Sequence, residues 1–176
     1  MKRASLMIVG LMMLAGCQAG GLRVAGGEAA AVATDDSSRY LDELADTRAV
    51  SQDQAFAGVL MLLDGQAPAQ SFEGRVQQLH ARKVVGACWS FRPDKPLTKG
   101  QAAYMVYQMC RQKGLSGGLT LTLTGPSQRY ALRELQYQRL MGQGVFYNKV
   151  SGMEFVALLT RADAFLRTGQ VPETLK

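Results

Sequence analysis

Apolar residues recur at helical spacing in three separate stretches of this chain. In each stretch the positions i, i+3, i+4 and i+7 are apolar, which is typical of a helix that buries one face in a core. The three sets are Phe56, Val59, Leu60 and Leu63; Ala102, Met105, Val106 and Met109; and Phe155, Leu158, Leu159 and Ala162. The pattern therefore predicts three amphipathic helices.

Each predicted helix begins with the same local signal. A hydroxyl residue is followed three positions later by Glu or Gln, which is the spacing of a capping box. The pairs are Ser51 and Gln54, Thr98 and Gln101, and Ser151 and Glu154. An apolar residue precedes each cap, where it can pack against the first turn of the helix. These preceding residues are Val50, Leu97 and Val150.

A shorter helical segment precedes each of the three helices, so the chain has the layout of an internal repeat. The apolar positions of these segments are Tyr40, Leu41 and Leu44; Phe72, Val76 and Leu79; and Leu132 and Leu135. We predict a mainly α fold of three helix–loop–helix units, at about 39–64, 71–113 and 127–167, within one domain over 39–167. Residues 168–176 are left as a C-terminal tail.

One segment departs from the helical pattern. Between Gly117 and Gly125, Leu119, Leu121 and Leu123 alternate with threonines. Strict alternation of apolar and β-branched residues between glycines predicts a short, half-buried β-strand at 119–124.

The start of the chain has the layout of a bacterial lipoprotein signal peptide. A basic start, Met1-Lys2-Arg3, precedes an apolar run over residues 4–14, and small residues then lead to Cys17. The apolar run is too short to span a bilayer, which takes about 20 residues. The alternative is a buried N-terminal helix followed by an ordinary cysteine.

We therefore expect residues 1–16 to be a signal peptide and Cys17 to be lipidated, with palmitate among its acyl chains. Two or three acyl chains anchor a protein stably to a membrane. The Gly- and Ala-rich residues 17–38 are expected to form a flexible tether. If the organism is Gram-negative, Gln18 indicates sorting to the outer membrane, where the protein would face the periplasm.

The net charge of the chain adds little to the functional prediction. The formal net charge is +6, and removal of Lys2 and Arg3 with the signal peptide lowers it to +4. This excess is spread along the chain without a basic run, whereas a nucleic-acid surface concentrates its basic residues. We expect no nucleic-acid partner; weak attraction to an anionic wall polymer or membrane surface is compatible with the charge.

Residues with catalytic or metal-binding chemistry are few. His80 is the single histidine, and Cys88 and Cys110 lack the spacing of metal ligands. We interpret His80 as a surface or partly buried side chain, and the carboxylates of Asp42, Glu43 and Asp46 as a solvated helix face. No nucleophile–base set is visible, so we expect no enzymatic activity, no cofactor and no metal.

Two readings of Cys88 and Cys110 remain open. In an oxidising periplasm a disulfide between them would close a loop and stabilise the fold by about 3 kcal/mol. As buried free thiols they would instead pack like small apolar side chains.

Residues 91–103, Phe-Arg-Pro-Asp-Lys-Pro-Leu-Thr-Lys-Gly-Gln-Ala-Ala, resemble the core of an S-layer homology (SLH) repeat. Such a repeat has a helix, a loop with Phe-x-Pro and a second helix that begins with a Thr-Arg-Ala-Glu-like motif. Residues 150–155 and 50–56 look like diverged copies, so the resemblance covers about residues 39–167. It implies a pseudo-threefold helical body whose grooves bind anionic cell-wall polysaccharide.

The resemblance also implies a site. The motif arginine, which contributes cationic contacts in the family, is replaced by Gln52, Lys99 and Gly152 in the three units. A polymer site would therefore centre on Lys99, with Arg92 as a further charge and Trp89 as a sugar-stacking surface. The alternatives are a solvated Lys99 and a Trp89 that belongs to the core.

Two functions follow from these observations. The first is a lipid-anchored protein of the cell envelope whose SLH-like domain binds peptidoglycan or a secondary wall polysaccharide and tethers the membrane to the wall. The second is a structural lipoprotein that docks onto another envelope protein without binding carbohydrate. Lys99 favours the first, and the missing motif arginines favour the second.

Overall fold

The computed structural model describes residues 37–65 and 71–171. The predicted signal peptide, Cys17, most of the predicted tether and the end of the predicted C-terminal tail lie outside the described residues. Residues 37 and 38 already belong to a helix, so the tether ends earlier than the sequence predicted.

Helices account for nearly all the regular structure of the described residues, which confirms the mainly α prediction. They are α1 (37–45), α2 (Gln52–Asp64), α3 (Phe72–Ala81), α4 (Lys99–Gln112), α5 (Leu119–Thr124), α6 (Gln128–Tyr137) and α7 (Gly152–Thr168). The long helices α2, α4 and α7 each follow a shorter helix, which gives the pairs α1–α2, α3–α4 and α6–α7. Helix α5 lies between the second and third pairs.

The predicted capping boxes form at α2 and α4. At each, the hydroxyl of Ser51 or Thr98 accepts a hydrogen bond from the backbone three residues on, and the glutamine side chain reaches back to the cap. The box at α7 is half formed. The Ser151 hydroxyl accepts a hydrogen bond from the Glu154 backbone N–H, but the Glu154 carboxylate pairs with Lys99 instead of returning to the cap.

The core lies between the long helices. All residues of the three predicted stripes are buried except Leu63, which is half-buried near the end of α2. Helix α4 packs against α6 and α7, and α2 packs against α3 and α7. The apolar pattern of the sequence therefore identified the faces that meet in the core.

The three residues before the caps form a closed ring of backbone hydrogen bonds. The N–H of Leu97 donates to the carbonyl of Val50 at 2.7 Å, that of Val50 to Val150 at 3.0 Å, and that of Val150 to Leu97 at 3.1 Å. All three side chains are fully buried. Because each donor finds its acceptor in a different helix pair, this ring joins all three pairs at the N-terminal ends of α2, α4 and α7.

Helix α7 approaches the first pair so closely that only glycine fits at its start. A Cβ atom added to Gly152 would lie 1.7 Å from the carbonyl oxygen of Leu44 and 2.6 Å from Thr47 Oγ1. The Gly152 N–H donates to the Thr47 carbonyl at 2.8 Å. The missing side chain is therefore what allows the third pair to meet the first.

The predicted strand at 119–124 is wrong, because this segment is helix α5. A strand needs a partner for its backbone groups, and the isolated bridges of the described residues lie elsewhere, at Ser51–Pro96 and Thr98–Lys149. In a helix, Leu119 and Leu123 share a face and are 76% and 75% exposed, while Leu121 is buried on the other side. The alternation with period two therefore places two leucines in solvent.

Candidate functional site

The structure encloses Lys99, the centre of the predicted polymer site, within the protein. Its side chain is 11% exposed, and Nζ lies 2.6 Å from Glu154 Oε1. The same ammonium donates a hydrogen bond to the Gln143 carbonyl at 2.8 Å. Lys99 is thus neither solvated nor open to a ligand, since its charge joins the start of α4 to the third helix pair.

The equivalent position of α2 has the same role with different chemistry. Gln52 is fully buried, and its Oε1 accepts a hydrogen bond from the Arg92 backbone N–H at 3.0 Å. Its backbone N–H donates to the Lys95 carbonyl at 2.8 Å. Gln52 therefore holds the loop of the second pair, just as Lys99 holds the loop of the third and Gly152 meets the first.

Trp89 belongs to the packing of the second pair. It is half-buried, and its ring lies 5.3 Å from that of Tyr104 and 6.3 Å from that of Phe91. A Cβ atom on Gly86 would lie 2.4 Å from the Trp89 ring nitrogen, so the loop closes over the indole. These contacts favour the core alternative over a sugar-stacking surface.

Arg92 and His80 lie on the surface nearby. The Arg92 side chain is 66% exposed, and its Nε lies 3.8 Å from the carboxylate of Asp94, which is 78% exposed. His80 is exposed and meets the edge of Phe91. Exposed pairs such as Arg92–Asp94 contribute little to stability. The structure therefore does not bring Lys99, Arg92 and Trp89 together into one open site.

The two cysteines among the described residues are free thiols in different environments. Cys88 is exposed in the loop after α3, and Cys110 is fully buried in α4. Burial raises the pKa of the Cys110 thiol to about 12. The disulfide alternative is not what the structure has, and the buried-thiol alternative holds for Cys110 alone.

An open cleft lies on the third helix pair, beside the buried Lys99. It has a volume of about 380 Å³ and lies between α6 and the loop that follows it. Helix α6 contributes Arg129, Arg133 and Gln136, and the loop contributes residues 144–147, including Phe146 and Tyr147. We call this cavity the basic cleft.

The spacing of the α6 residues explains how they reach one cleft. Positions 129, 133 and 136 are four and three residues apart, which places them on one face of a helix. Ala131, Leu132 and Leu135 are buried toward the core. The polar face of α6 is thereby left pointing outward, with its arginines along the cleft.

Four hydrogen bonds fix the opposite wall of the basic cleft. Backbone N–H groups at the start of α4 donate to it, from Lys99 to the Asn148 carbonyl at 2.7 Å and from Gly100 to the Phe146 carbonyl at 2.8 Å. The Gln136 side chain donates from α6 to the carbonyls of Gly142 and Gly144 at 3.2 and 3.0 Å. The loop is therefore held in place before any ligand arrives.

The chemistry of the basic cleft suits an anionic, ring-containing ligand. Arg129 and Arg133 are exposed, and within residues 37–65 and 71–171 neither takes part in an ion pair. The Phe146 and Tyr147 rings meet edge to face at 5.4 Å and are 41% and 66% exposed. A guanidinium can bind a carboxylate or phosphate with two parallel hydrogen bonds.

This cleft was not predicted from the sequence, because its residues lie outside the motif of the family that the chain resembles. The signal was present in the α6 segment, where Arg129, Arg133 and Gln136 recur at helical spacing opposite the apolar positions. The second signal was an adjacent aromatic pair, Phe146-Tyr147, in a polar loop. Only the fold brings these two signals to the same cavity.

Neither a metal site nor a membrane-spanning helix is found among the described residues. Residues 37–65 and 71–171 contain no cluster of three or more His, Cys, Asp or Glu side chains placed to hold a metal ion. In the same ranges, no helix has both the length and the apolar character needed to cross a bilayer. Comparisons of the chain with protein-family models, curated proteins and solved structures found no match.

Proposed function

We propose that this protein is a lipid-anchored component of the cell envelope that binds an anionic wall polysaccharide through its helical body. The membrane end of this link is the acylated Cys17, supported by the signal-like sequence before it. The wall end is the basic cleft. No catalytic step is proposed, and the partners are the membrane and either peptidoglycan or a secondary wall polysaccharide.

For the helical body we propose the SLH-like arrangement of three repeats about a pseudo-threefold axis. The ring of hydrogen bonds among Val50, Leu97 and Val150 supports it, because each unit donates once and accepts once. A shared turn supports the relation of the last two units. Lys83 and Arg139, directly after the C-caps of α3 and α6, both have a φ of 58°.

One observation carries the binding proposal: two exposed arginines, which have no ion pair within the described residues, face an exposed aromatic pair across a preformed cleft. Elsewhere this chain pairs its enclosed cations, as at Lys99–Glu154. Apolar aromatic faces match the C–H face of a sugar ring, and the guanidinium groups match acidic substituents. The cavity thus offers a contact to the C–H face of an acidic sugar and another to its acidic substituent.

Co-sedimentation with purified wall sacculi tests the wall end. The soluble chain from Gln18 onward, which keeps every described residue, is expected to pellet with sacculi and to be released by salt. Arg129→Ala and Arg133→Ala should each weaken pelleting about tenfold, the loss of about 1.4 kcal/mol expected for a charged hydrogen bond. Arg92→Ala removes the same charge outside the cleft and should bind like the parent protein.

Two results would count against polymer binding in this cleft. Absence of pelleting in clean buffer would remove the wall end of the proposal altogether. Equal losses for Arg92→Ala and Arg133→Ala would show that binding follows overall charge rather than the cleft.

The membrane end has its own test. Metabolic labelling with palmitate should mark the protein, and Cys17→Ser should abolish both the label and sedimentation with membranes. Cys88→Ser, a control at an exposed cysteine, should leave both unchanged. Labelling that survives Cys17→Ser would refute lipidation at this position.

Docking onto another envelope protein remains a second candidate, and the exposed leucines of α5 favour it. Leu119 and Leu123 lie side by side with about three quarters of each exposed. Crosslinking in intact cells should join the protein to one partner in this case. Leu119→Ser with Leu123→Ser should abolish that crosslink while sedimentation with sacculi is unchanged.

A further inference from the structure

Helix α6 lies between two clefts, and Arg133 lines both of them. The second cavity, about 330 Å³ in volume, lies between α5 and α6 and is lined by Thr120, Tyr130, Glu134 and Tyr137 in addition to Arg133. We call it the tyrosine cleft. The tyrosine cleft and the basic cleft meet at Arg133, which lines both cavities.

The helix geometry explains why one residue serves both cavities. At about 100° per residue, Arg129 and Gln136 lie on one flank of α6, while Tyr130 and Tyr137 lie on the other. Arg133 falls between these flanks, on the ridge opposite the buried Ala131 and Leu135. A single ligand that occupies both clefts must therefore pass over Arg133.

The two clefts differ in charge. Among the described residues, the lining of the basic cleft includes two arginines and no acidic residue. The tyrosine cleft contains Glu134, whose carboxylate oxygens accept hydrogen bonds from the Gly118 N–H and the Gln138 side chain, both at 3.0 Å. A carboxylate there repels a second acidic group but still accepts hydrogen bonds from hydroxyls.

The tyrosine cleft also offers an exposed aromatic surface. Tyr137 is 82% exposed and Tyr130 is half-buried beside it. Thr120 and both tyrosines, each of which carries a hydroxyl group, line the cavity. This set of groups suits a neutral sugar ring, which stacks on one face and forms hydrogen bonds at its edge.

We propose that the ligand is an extended glycan chain that fills both clefts and crosses α6 at Arg133. An acidic sugar or acidic substituent lies in the basic cleft, and a neutral sugar lies against Tyr137 in the tyrosine cleft. This inference rests on the proposed function, because it names the form of ligand that the same surface takes. Arg133 is the contact common to both segments of the chain.

The test compares ligands of different length. Purified walls of the producing organism are partly hydrolysed with mild acid, and the acidic products are separated into disaccharide and hexasaccharide pools. Calorimetric titration of the soluble chain from Gln18 should give a hexasaccharide affinity at least tenfold above that of the disaccharide, because the second contact becomes intramolecular.

Variants assign the extra affinity to the tyrosine cleft. Tyr137→Ala should bring hexasaccharide affinity close to that of the disaccharide and leave disaccharide affinity unchanged. Tyr137→Phe keeps the ring and should retain most of the length dependence. Arg133→Ala and Arg129→Ala should each lower the affinity for the disaccharide and for the hexasaccharide.

Failure of the inference is distinguishable from failure of the proposed function. Equal affinities for the two pools, both lowered by Arg129→Ala, would overturn the extended ligand while leaving polymer binding in the basic cleft intact. If Tyr137→Ala still binds the hexasaccharide more tightly than the disaccharide by the same factor, the proposed role of the tyrosine cleft is wrong. If neither pool binds and sacculi do not pellet the protein, both proposals fall.

Discussion

The start of α4 and the polar face of α6 are neighbouring regions that use positive charge in opposite ways. At the start of α4, Lys99 is enclosed and its ammonium is taken up by Glu154 and the Gln143 carbonyl. On α6, Arg129 and Arg133 are exposed and have no ion pair within the described residues. Lys99 therefore holds the scaffold, whereas the arginines remain available to a ligand.

The reason for the difference is the cost of removing a charge from water. A buried charge is tolerated only when it is paired or hydrogen-bonded, so the ammonium of Lys99 must be matched from within. An exposed arginine stays hydrated, so leaving it unpaired in the absence of a ligand costs little free energy. Burial, and not the type of residue, thus separates a structural cation from a binding one.

The largest expected effect is at the closest approach between helix pairs. Gly152→Ala places a Cβ atom against the Leu44 carbonyl, and overpacking of this kind costs about 3 kcal/mol. Urea denaturation should show that loss in the free energy of unfolding. Gly65→Ala is a poor control because of its left-handed φ, so Gly142→Ala, whose nearest contact is at 3.7 Å, serves instead. Equal effects of the two changes would contradict the packing explanation.

The next effect is at the enclosed ion pair. Lys99→Met leaves the Glu154 carboxylate without its cation and should lower the free energy of unfolding by about 2 kcal/mol, somewhat less than for a fully buried pair. The double variant Lys99→Met with Glu154→Gln should recover most of that loss. A Lys99→Met protein as stable as the parent would show that the pair does not brace the scaffold.

Alkaline pH tests the buried region without a binding assay. Burial raises the pKa of Cys110 from 9.0 to about 12, and burial together with the charge of Asp53 raises that of Tyr40 from 10.0 to about 12. The unfolded chain ionises these groups first, so stability is complete below pH 9 and falls as the pH rises toward 12. The loss should be roughly 2 kcal/mol between about pH 8 and about pH 10.

The corresponding variants provide the control for this pH dependence. Tyr40→Phe combined with Cys110→Ala removes these two groups and should remove most of the slope of the stability profile over the same interval. Tyr107, whose pKa is also raised by burial, keeps the remainder. Arg129→Ala and Arg133→Ala, which change the clefts, should leave it unaltered. A profile that stays steep in the double variant would assign the alkaline loss to other groups.

A smaller effect, an increase in stability, is expected from a substitution at the end of α6. Arg139 has a left-handed φ of 58°, which costs a residue with a Cβ atom about 1 kcal/mol relative to glycine. Arg139→Gly should therefore raise the melting temperature by a few degrees. Lys83→Gly, at the matching turn of the second pair, should do the same. Destabilisation by both would show that the two side chains make stabilising contacts.

The smallest effect on stability is expected at the clefts themselves. Arg133→Ala and Tyr137→Ala change exposed side chains and should alter the free energy of unfolding by less than about 0.5 kcal/mol. The same variants should weaken binding, as proposed above. A large loss of stability in either variant would mean that α6 needs these side chains for folding, and the contrast with Lys99 would disappear.

Much of the scaffold could be predicted because its signals are local. Caps such as Ser51–Gln54 and stripes such as Phe155, Leu158, Leu159 and Ala162 depend on spacing within one helix, and both agree with the structure. The segment 119–124 was mispredicted because period-two alternation is only meaningful where a partner strand exists. Its flanking glycines fit the ends of a short helix equally well.

The site was harder to predict because its parts are distant in sequence or hidden by packing. Lys99 has the same position in its motif whether its ammonium faces solvent or Glu154, and the carboxylate that decides this lies 55 residues away. Trp89 likewise becomes part of the packing through Tyr104 and the close approach of Gly86.

By itself, the sequence determined which segments become the long helices, where they begin and which faces they bury, because these properties follow from the local order of polar and apolar residues. The N-terminal lipoprotein signal remains a prediction from the same source. Only the tertiary structure decided which cations are enclosed and which are open, and that α6 lies between two clefts. Burial depends on what the rest of the chain packs around a residue, and no local pattern contains that information.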